Sequence, residues 1–447
     1  MSSVRLVVLI LAASCATHTL AAAEVRKLTL PEAVQLALQQ NRALKIARLR
    51  VAENEAKQAV ARSKYFPIVQ NQSTVFHSTA EQNIEIPAGA FGRLPNAGLL
   101  PNSDVLINQG GRTFVVSGSS VTQPLTQLLR IHQANRIAQA DTATSRLDAK
   151  KAENEIALQV HGLYYGILIA RLQRHAAEQQ SISAQQTLVE SEEAIRNGSA
   201  LKVAAIQGRA SLLESRQSVL TLDLQISDLN TEFNDLLGLP LDTSLELSDA
   251  APPAVDVPAV EEYERSAFNS NPELLAAAET VRKTRAGVTS AKTEYIPDIA
   301  LYARHSYQNG VPFLVHNFGT FGMSFTYDVF DFGRRRAEVR EREAQAMQAE
   351  ENLRRLKEEV QVRIERSYNK VKRTREMIGV ASEAVKLRQE SERVSRNQLM
   401  QHVVLRSNVE DASAALSKAQ ADLLQAQLAY LLARAELEEA SGRTPGI

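Results

Sequence analysis

Residues 321–333 read Phe-Gly-Met-Ser-Phe-Thr-Tyr-Asp-Val-Phe-Asp-Phe-Gly, and this stretch joins two kinds of structure. In its first nine residues, large apolar side chains strictly alternate with small or polar ones. The apolar side chains are Phe321, Met323, Phe325, Tyr327 and Val329. A period of two predicts a β-strand with one apolar and one polar face. Residues 333–396, which follow, contain no proline and are rich in Ala, Leu, Gln, Glu and Arg, which predicts one long helix.

The same order of elements occurs twice along the chain. Tyr65-Phe66-Pro67 and Tyr295-Ile296-Pro297 each end a helical segment, and the same offset matches Asn41 to Asn271. A shorter offset of 204 residues matches Thr122 to Thr326 and Gly238 to Gly442. We therefore predict an internal duplication, with structural repeats at 24–238 and 260–447 and a proline-rich linker at 239–259.

Each repeat is predicted to contain a helical segment, a β-hairpin and a helical hairpin. The β-hairpins span 67–122 and 297–332, and the helical hairpins span 125–237 and 333–441. A helix of about 65 residues is about 100 Å long. In the last helix, Val409, Leu416, Leu423, Tyr430 and Leu437 recur every seven residues, and alanines recur three positions later. That period predicts coiled-coil packing of closely spaced helices.

The two offsets differ by 26 residues, so the first repeat carries an insertion of that size between Pro67 and Thr122. Residues 84–111 are rich in Gly, Pro and Asn, which favour turns. We predict a loop there, on the side of the hairpin far from the helices.

The first 23 residues have the layout of a secretory signal peptide. Arg5 precedes an apolar run at 6–13, and Ala21-Ala22-Ala23 offers a cleavage site. The one cysteine of the chain, Cys15, lies in this segment, and a lipid anchor at Cys15 is the alternative interpretation.

Composition argues against several classes of protein. Lys plus Arg and Asp plus Glu each number 51, so no net charge favours a nucleic-acid partner. The histidines are scattered, without ligand spacing or a second cysteine, so we expect no metal, no cofactor and no enzymatic activity.

Fifteen of the 22 aromatic residues fall in 65–122 and 295–332, as expected of strands that cross a membrane interface. Four such strands cannot close a barrel, and open strand edges are not tolerated in lipid. We predict an α+β fold in which several chains share one transmembrane β-barrel with four strands per protomer. A coiled-coil barrel of helices continues the same ring.

These features together resemble the TolC-type outer-membrane efflux channels. The resemblance rests on the duplicated layout, the Tyr-x-Pro helix ends, Asn271-Pro272-Glu273-Leu274, and above all Asp328-Val329-Phe330-Asp331-Phe332-Gly333-Arg334. It implies a homotrimer with a twelve-stranded barrel in outer-membrane lipid and a helical tunnel in the periplasm. It also implies docking of the tunnel tip onto a periplasmic adaptor (membrane fusion) protein and an inner-membrane transporter.

Two sets of residues are candidates for the tunnel's functions. The helical hairpins are expected to turn at Asn197-Gly198 and Asn397-Gln398, which would form the adaptor-docking tip. Glu383, Glu390 and Glu392 are candidates for a constriction that holds or selects cations. Arg334-Arg335-Arg336 is interpreted as a basic cluster just below the membrane, with an anion site as the alternative.

The sequence leaves two function classes open. The first is a passive exit duct of a tripartite efflux or type I secretion system, and the second is a periplasmic coiled-coil adaptor or scaffold. The aromatic strand at 321–329 favours the duct, because a soluble scaffold has no use for an uncovered apolar face. The transported substrate is not indicated by the sequence.

Overall fold

The computed structural model describes residues 26–80, 83–108, 110, 112–248, 257–310 and 315–445. The signal-peptide prediction, Cys15 and most of the inter-repeat linker lie outside these residues. The helices are α1 (Leu30–Gln40), α2 (Arg42–Ser63), α3 (Leu128–Arg196), α4 (Lys202–Leu237), α5 (Val260–Ser270), α6 (Pro272–Lys292), α7 (Arg334–Met400) and α8 (Arg406–Ala440). The strands are β1 (Arg26–Leu28), β2 (Ile68–His77), β3 (Asn83–Ile86), β4 (Arg93–Leu94), β5 (Gly98–Leu99), β6 (Val105–Asn108), β7 (Thr113–Pro124), β8 (Leu245–Leu247), β9 (Asp298–Asn309) and β10 (Asn317–Thr326).

Two uninterrupted helices set the length of the molecule. Helix α3 has 69 residues and α7 has 67, so each is about 100 Å long. Helices α4 and α8 pack along their lower parts, nearer the hairpin turns, and α2 and α6 pack along their upper parts. The result is one layer of four helical columns, in the order α2/α4, α3, α6/α8, α7.

Two asparagines join the shorter helices into these columns. The Asn271 side chain caps α6 by accepting the N–H groups of Glu273 (2.9 Å) and Leu274 (3.3 Å). Its amide nitrogen donates to the carbonyl of Ala440 at the end of α8, at 3.0 Å. Asn41 does the same in the first half, capping α2 and donating to the carbonyl of Leu236 at 3.0 Å. Each side chain thus serves two helix ends at once.

Glycine at the end of each lower helix makes this close approach possible. Gly238 and Gly442 adopt φ angles of 71° and 85°, which glycine tolerates best. A Cβ on Gly442 would lie 2.5 Å from the Cα of Asn271, so no other residue fits there. The matched pairs Asn41/Asn271 and Gly238/Gly442, found in the sequence at different offsets, therefore meet in space.

The main hydrophobic core surrounds these junctions. Its fully buried side chains include Val34, Val160, Phe233, Val360 and Leu437. Ala419, Ala426 and Ala433 are buried along α8, as the heptad pattern predicted. By contrast, Ile206, Leu213 and Leu220 of α4, which share the seven-residue spacing, are exposed in the chain.

The four long strands form one antiparallel sheet in the order β10-β9-β7-β2. The hairpin β2–β7 pairs Ile68 with Thr122 and His77 with Thr113, and β9–β10 pairs Asp298 with Thr326. Strand β10 ends at Thr326, three residues before the predicted end of the alternating stretch. Strands β2 and β10 are the two edges, and among the described strands neither has a partner on its outer side.

The insertion in the first repeat is more ordered than the predicted loop. Strands β3 and β6 pair from Asn83–Asn108 to Ile86–Val105, and β4 and β5 form a second short ladder. The loop prediction was therefore wrong in part: turn formers are present, but Ile84, Ile86, Val105 and Ile107 alternate well enough to pair. This segment, residues 83–108, is called the distal hairpin below. It extends the β2–β7 hairpin away from the helices.

The sequence did not predict the small parallel sheet of β1 and β8. Arg26 pairs with Leu245 and Leu28 with Leu247, which ties the start of the first repeat to the linker region. Leu28, Leu245 and Leu247 are buried against the core. Within the described part of the chain, no helix is both long and apolar enough to cross a membrane.

Replacing Asn271 with alanine should destabilise the protein by about 2–4 kcal/mol. The variant loses a helix N-cap, worth about 1 kcal/mol, and leaves the buried carbonyl of Ala440 without its donor, at about 1–3 kcal/mol. Asn269→Ala is the matched control, because Asn269 is exposed and bonds only within its own helix. Thermal unfolding in detergent measures both. Equal midpoints for the two variants would show that the junction contributes nothing.

Candidate functional site

The first tip of the helical layer is a glycine-terminated turn. At the end of α3, the Gly198 N–H donates to the Ile195 carbonyl at 3.0 Å, and the Ser199 N–H donates to the Ala194 carbonyl at 2.9 Å. Gly198 has φ = 72°, and a Cβ added to it would meet no atom within 4 Å. The backbone angle, rather than space, is what requires glycine. The predicted turn at Asn197-Gly198 is therefore where the sequence placed it.

The second tip lies three to four residues beyond its predicted position. Helix α7 continues through Asn397 and Gln398 to Met400, and the turn spans 401–405. The carbonyls of Asn397 and Gln398 accept the N–H groups of Gln401 (3.2 Å) and Val403 (2.9 Å), so both residues belong to the last helical turn. The prediction failed because the Asn-Gln pair was taken to break the helix, whereas the capping bonds extend it.

His402 takes the place of Gly198 in the second tip. Its φ is 59°, and its N–H donates to the Leu399 carbonyl at 2.9 Å, the counterpart of the Gly198 bond. The 204-residue offset relates Gly198 to His402, so the repeat itself contained the signal for the correct turn. A non-glycine residue in this region of backbone space is strained by about 1–2 kcal/mol.

Both tips present apolar side chains. Leu201 and Val203 at the first tip, and Val403 and Leu405 at the second, are more than half exposed. Met400 and Ile206 are exposed beside them. A surface of this kind binds a partner through apolar contact more readily than through charge.

The three candidate glutamates lie on α7 near the second tip and do not share a face. Glu383 and Glu390 are seven residues apart and lie on one side, whereas Glu392 is rotated by about 200° from Glu390. Each pairs within its helix: Glu383 with Lys386 at 3.3 Å, Glu390 with Arg393 at 2.6 Å, and Glu392 with Arg396. The hydrogen bond from Arg393 lowers the pKa of Glu390. A constriction at these residues stays a prediction, and the geometry allows at most two of them to line one passage.

The joint between β10 and α7 is built on Asp331. Its carboxylate accepts the N–H groups of Gly333 at 3.0 Å and Arg335 at 3.2 Å, which caps the first turn of α7. The backbone donors of Arg335 and Gly333 lower the pKa of Asp331. Phe332 (φ = 52°) and Gly333 (φ = 89°) turn the chain from strand to helix.

Arg335 fills the inside of this joint. Its side chain is 8% exposed and pairs with Asp331 at 3.4 Å. It donates to the Asp328 carbonyl at 2.6 Å and lies 4.7 Å from the ring centroid of Tyr327. The interpretation of Arg334-Arg335-Arg336 as a uniformly solvated cluster was therefore wrong for Arg335, whose neighbours Arg334 and Arg336 are exposed.

The sheet above the joint has two unlike faces. Cross-strand register places Phe321, Met323 and Phe325 beside Ala303, Leu301 and Ile299 on one face. Val121 and Val69 continue this apolar face on β7 and β2. The opposite face carries Ser324, Thr320 and Thr122 and is called the polar face below. The large side chains of the apolar face are mostly exposed in the chain, because no helix covers them.

None of the described residues forms a group of His, Cys, Asp or Glu side chains that could hold a metal ion. His161 is buried beside Tyr165, with ring centroids 5.8 Å apart, and burial lowers its pKa to about 4. It is therefore neutral at physiological pH.

A layer of long antiparallel helices joined directly to a four-stranded antiparallel sheet is the protomer fold of the helical-tunnel channels. Residues 265–443, nearly the whole second repeat, match the family described as "Outer membrane efflux protein". The chain thus carries an outer membrane efflux protein domain, and its resemblance to the TolC-type channels is confirmed. This family and fold are those of channels rather than enzymes.

Solved structures share the fold along nearly the whole chain. The Campylobacter jejuni CmeC outer membrane channel is 14% identical with a TM-score of 0.77, covering 94% of this chain and 87% of CmeC. The outer membrane protein VceC from Vibrio cholerae is 15% identical with a TM-score of 0.72, covering 93% and 96%. The open state of the Neisseria gonorrhoeae MtrE outer membrane channel is 15% identical with a TM-score of 0.69, covering 93% and 89%. No curated protein sequence matches the chain significantly.

Gly198→Val should loosen the first tip while the rest of the protein stays folded. A β-branched residue at positive φ costs about 1–2 kcal/mol or more, so amides at 194–204 should exchange hydrogen faster. Gly379→Ala is the control: Gly379 lies within α7 with nothing near its Cβ, and alanine there should stabilise the helix by about 1 kcal/mol. Unchanged exchange at 194–204 would contradict a conformational role for Gly198.

Asp331→Ala should lower the thermal midpoint of the protein, because it removes a helix cap and the partner of a buried arginine. Arg336→Ala, which alters an exposed neighbour, should leave the midpoint nearly unchanged. The Asp331 pKa is lower in the folded state, so its contribution is present above the unfolded value near about 3.9 and is lost as pH falls through the folded value. Thermal unfolding between pH 7 and pH 2.5 measures both effects; the same acid-induced loss in Asp331→Ala would exclude Asp331 as its source.

Proposed function

We propose that this chain is one protomer of a homotrimeric exit duct in the outer membrane, which passively conducts substrates delivered by a periplasmic adaptor and an inner-membrane transporter. The observation that carries the proposal is the four-stranded sheet with an uncovered apolar face and two unpaired edges. Lipid favours the apolar face, but it does not tolerate the edges. Closure by further copies of the chain satisfies both requirements.

Both edges of the chain are suited to pair with each other. Strand β2 runs away from the helices and β10 runs toward them, so β10 of one copy can pair antiparallel with β2 of the next. Head-to-tail pairing of unlike edges generates a ring. Three copies give the twelve-stranded barrel that the resemblance implies.

The helical layer supports the same closure. Its edge columns, which contain α4 and α7, each carry exposed apolar side chains every seven residues. On α4 these are Ile206, Leu213 and Leu220, ascending from the first tip. On α7 they are Val394, Leu387 and Val380, ascending from the second tip. Because the helices run in opposite directions, the stripes match in height and can interlock between copies.

The exposed apolar side chains of the two tips support docking of an adaptor. Gly198 and His402 shape two similar turns in one chain, so both offer comparable surfaces. Asn197, Gln401 and the shifted pair Asn397 and Gln398 hold these turns through backbone bonds. The energy for transport and the choice of substrate would lie in the partners, which agrees with a family of channels.

The distal hairpin supports an outward orientation of the sheet. It lies at the end of the sheet opposite the helices, and long connections of outer-membrane barrels lie outside the cell. An epitope inserted after Asn96, between β4 and β5, should therefore be labelled on intact cells. Labelling that requires a broken outer membrane would contradict this orientation.

The oligomer is tested by charge substitution on the α4 stripe. Leu213 is 58% exposed in the chain and should become buried between copies, so Leu213→Glu should prevent trimer formation. Leu241→Glu is the matched control, because Leu241 is also 58% exposed but lies beyond α4, outside the stripe. Light scattering of the detergent-purified, outer-membrane fraction gives the mass of each variant. A monomer from the native chain, or a trimer from Leu213→Glu, would contradict the proposed closure.

A further inference from the structure

The polar face of the sheet carries one basic side chain at mid-height. Within the four described strands of this sheet, the formally charged residues are Asp298 and Arg304. Arg304 lies on β9, with Ser120 of β7 and Thr320 of β10 directly opposite. Its side chain is exposed. A lone charge amid hydroxyl side chains dominates the local electrostatic potential.

A glycine on the neighbouring strand shapes the position of this arginine. A Cβ on Gly118 would lie 3.0 Å from Nη2 and 3.1 Å from Nε of Arg304. The guanidinium therefore lies across β7, against backbone that any larger residue would cover. Tyr302 lies over Gly322 of β10 in the same way, since a Cβ there would be 3.1 Å from its hydroxyl oxygen. Strand β9 thus extends one polar side chain over each of its neighbours.

Arg304 keeps its charge unneutralised within the chain. Asp298 pairs with Arg130 of α3 at the base of the sheet. It is six residues from Arg304 along β9, or about 20 Å. Among the described residues, no carboxylate lies within ion-pair distance of Arg304. The apolar face, by contrast, carries no formal charge in these strands.

We propose that Arg304 makes the inner wall of the β domain attract anions, so that the duct favours anionic over cationic solutes. The inference rests on the proposed function, since ring closure turns the polar face inward and brings three copies of Arg304 to one level. Rings of arginine are one way in which pores select anions. Gly118 keeps the guanidinium flat on the wall, where it adds charge without narrowing the passage.

The experiment measures the electrostatic potential beside Arg304 with a thiol probe. Thr320→Cys places a cysteine opposite Arg304 on the polar face, in trimers reconstituted into vesicles. The rates of modification by an anionic and a cationic methanethiosulfonate reagent of similar size are compared in Arg304 and Arg304→Gln backgrounds. The native chain without the added cysteine is the blank, and Ala303→Cys, next to Arg304 on the apolar face, is the control for orientation.

Removal of the charge should lower the anionic-to-cationic rate ratio of the Thr320→Cys thiol by about threefold or more at low salt. Arg304→Lys should retain the native ratio. The difference should vanish at 1 M salt, where the screening length is about 3 Å, against about 30 Å at 0.01 M. Ala303→Cys should be protected by lipid in every background.

Equal ratios in the Arg304 and Arg304→Gln backgrounds would overturn the inference while leaving the proposed duct intact. Protection of Thr320→Cys from both reagents, with free reaction at Ala303→Cys, would show that the polar face does not line water and would overturn the inference through the orientation of the sheet. Failure of the proposed function itself is seen earlier and separately, as the absence of a membrane-embedded trimer.

Discussion

The helical layer depends on two asparagine side chains, each bonded to two helix ends. Helices α3 and α7 need no joint, but the columns beside them are each made of two helices stacked end to end. At each joint four N–H groups and four carbonyl groups lack helical partners. Asn41 and Asn271 accept from the upper helix and donate to the lower one, and the glycines at 238 and 442 let the ends approach. Without this arrangement the layer would have buried, unsatisfied backbone at its middle, where the core is largest.

The same layer decides where the chain is incomplete. Helices α3 and α8 pack on both sides, whereas α4 and α7 expose apolar stripes, and directly above them β2 and β10 leave their outer hydrogen-bonding groups unpaired. The edges of the sheet and of the helical layer therefore coincide. The joint at Asp331 and Arg335 keeps them aligned, because the buried ion pair fixes the angle at which β10 enters α7. A monomer with two coinciding open edges is best understood as one part of a closed ring.

Duplication produced similar elements that are not equivalent in chemistry. The two tips use the same capping bonds, but glycine occupies the left-handed position in one and His402 in the other. The two β-hairpins share their lower rows, but one continues into the distal hairpin and the other ends at a short connection. Arg304 has no arginine or lysine counterpart on β2 or β7. The second repeat thus carries most of the aromatic side chains and the charge of the sheet, while the first carries the added segment.

The sequence by itself determined the order of elements, the long helices to within a few residues at most ends, and the apolar face of β10. These follow from local periodicity, helix propensity and the internal repeat, which need no knowledge of neighbours. It also indicated the family, through the Asp328–Arg334 stretch. Only the tertiary structure decided that Asn41 and Asn271 bridge helices nearly 200 residues away, that Arg335 is buried between its exposed neighbours, and that the second turn falls at His402. It alone showed β1 paired with β8, and the Arg304 guanidinium lying on Gly118. Each of these depends on contacts between distant segments, and local sequence patterns do not encode which segments will meet.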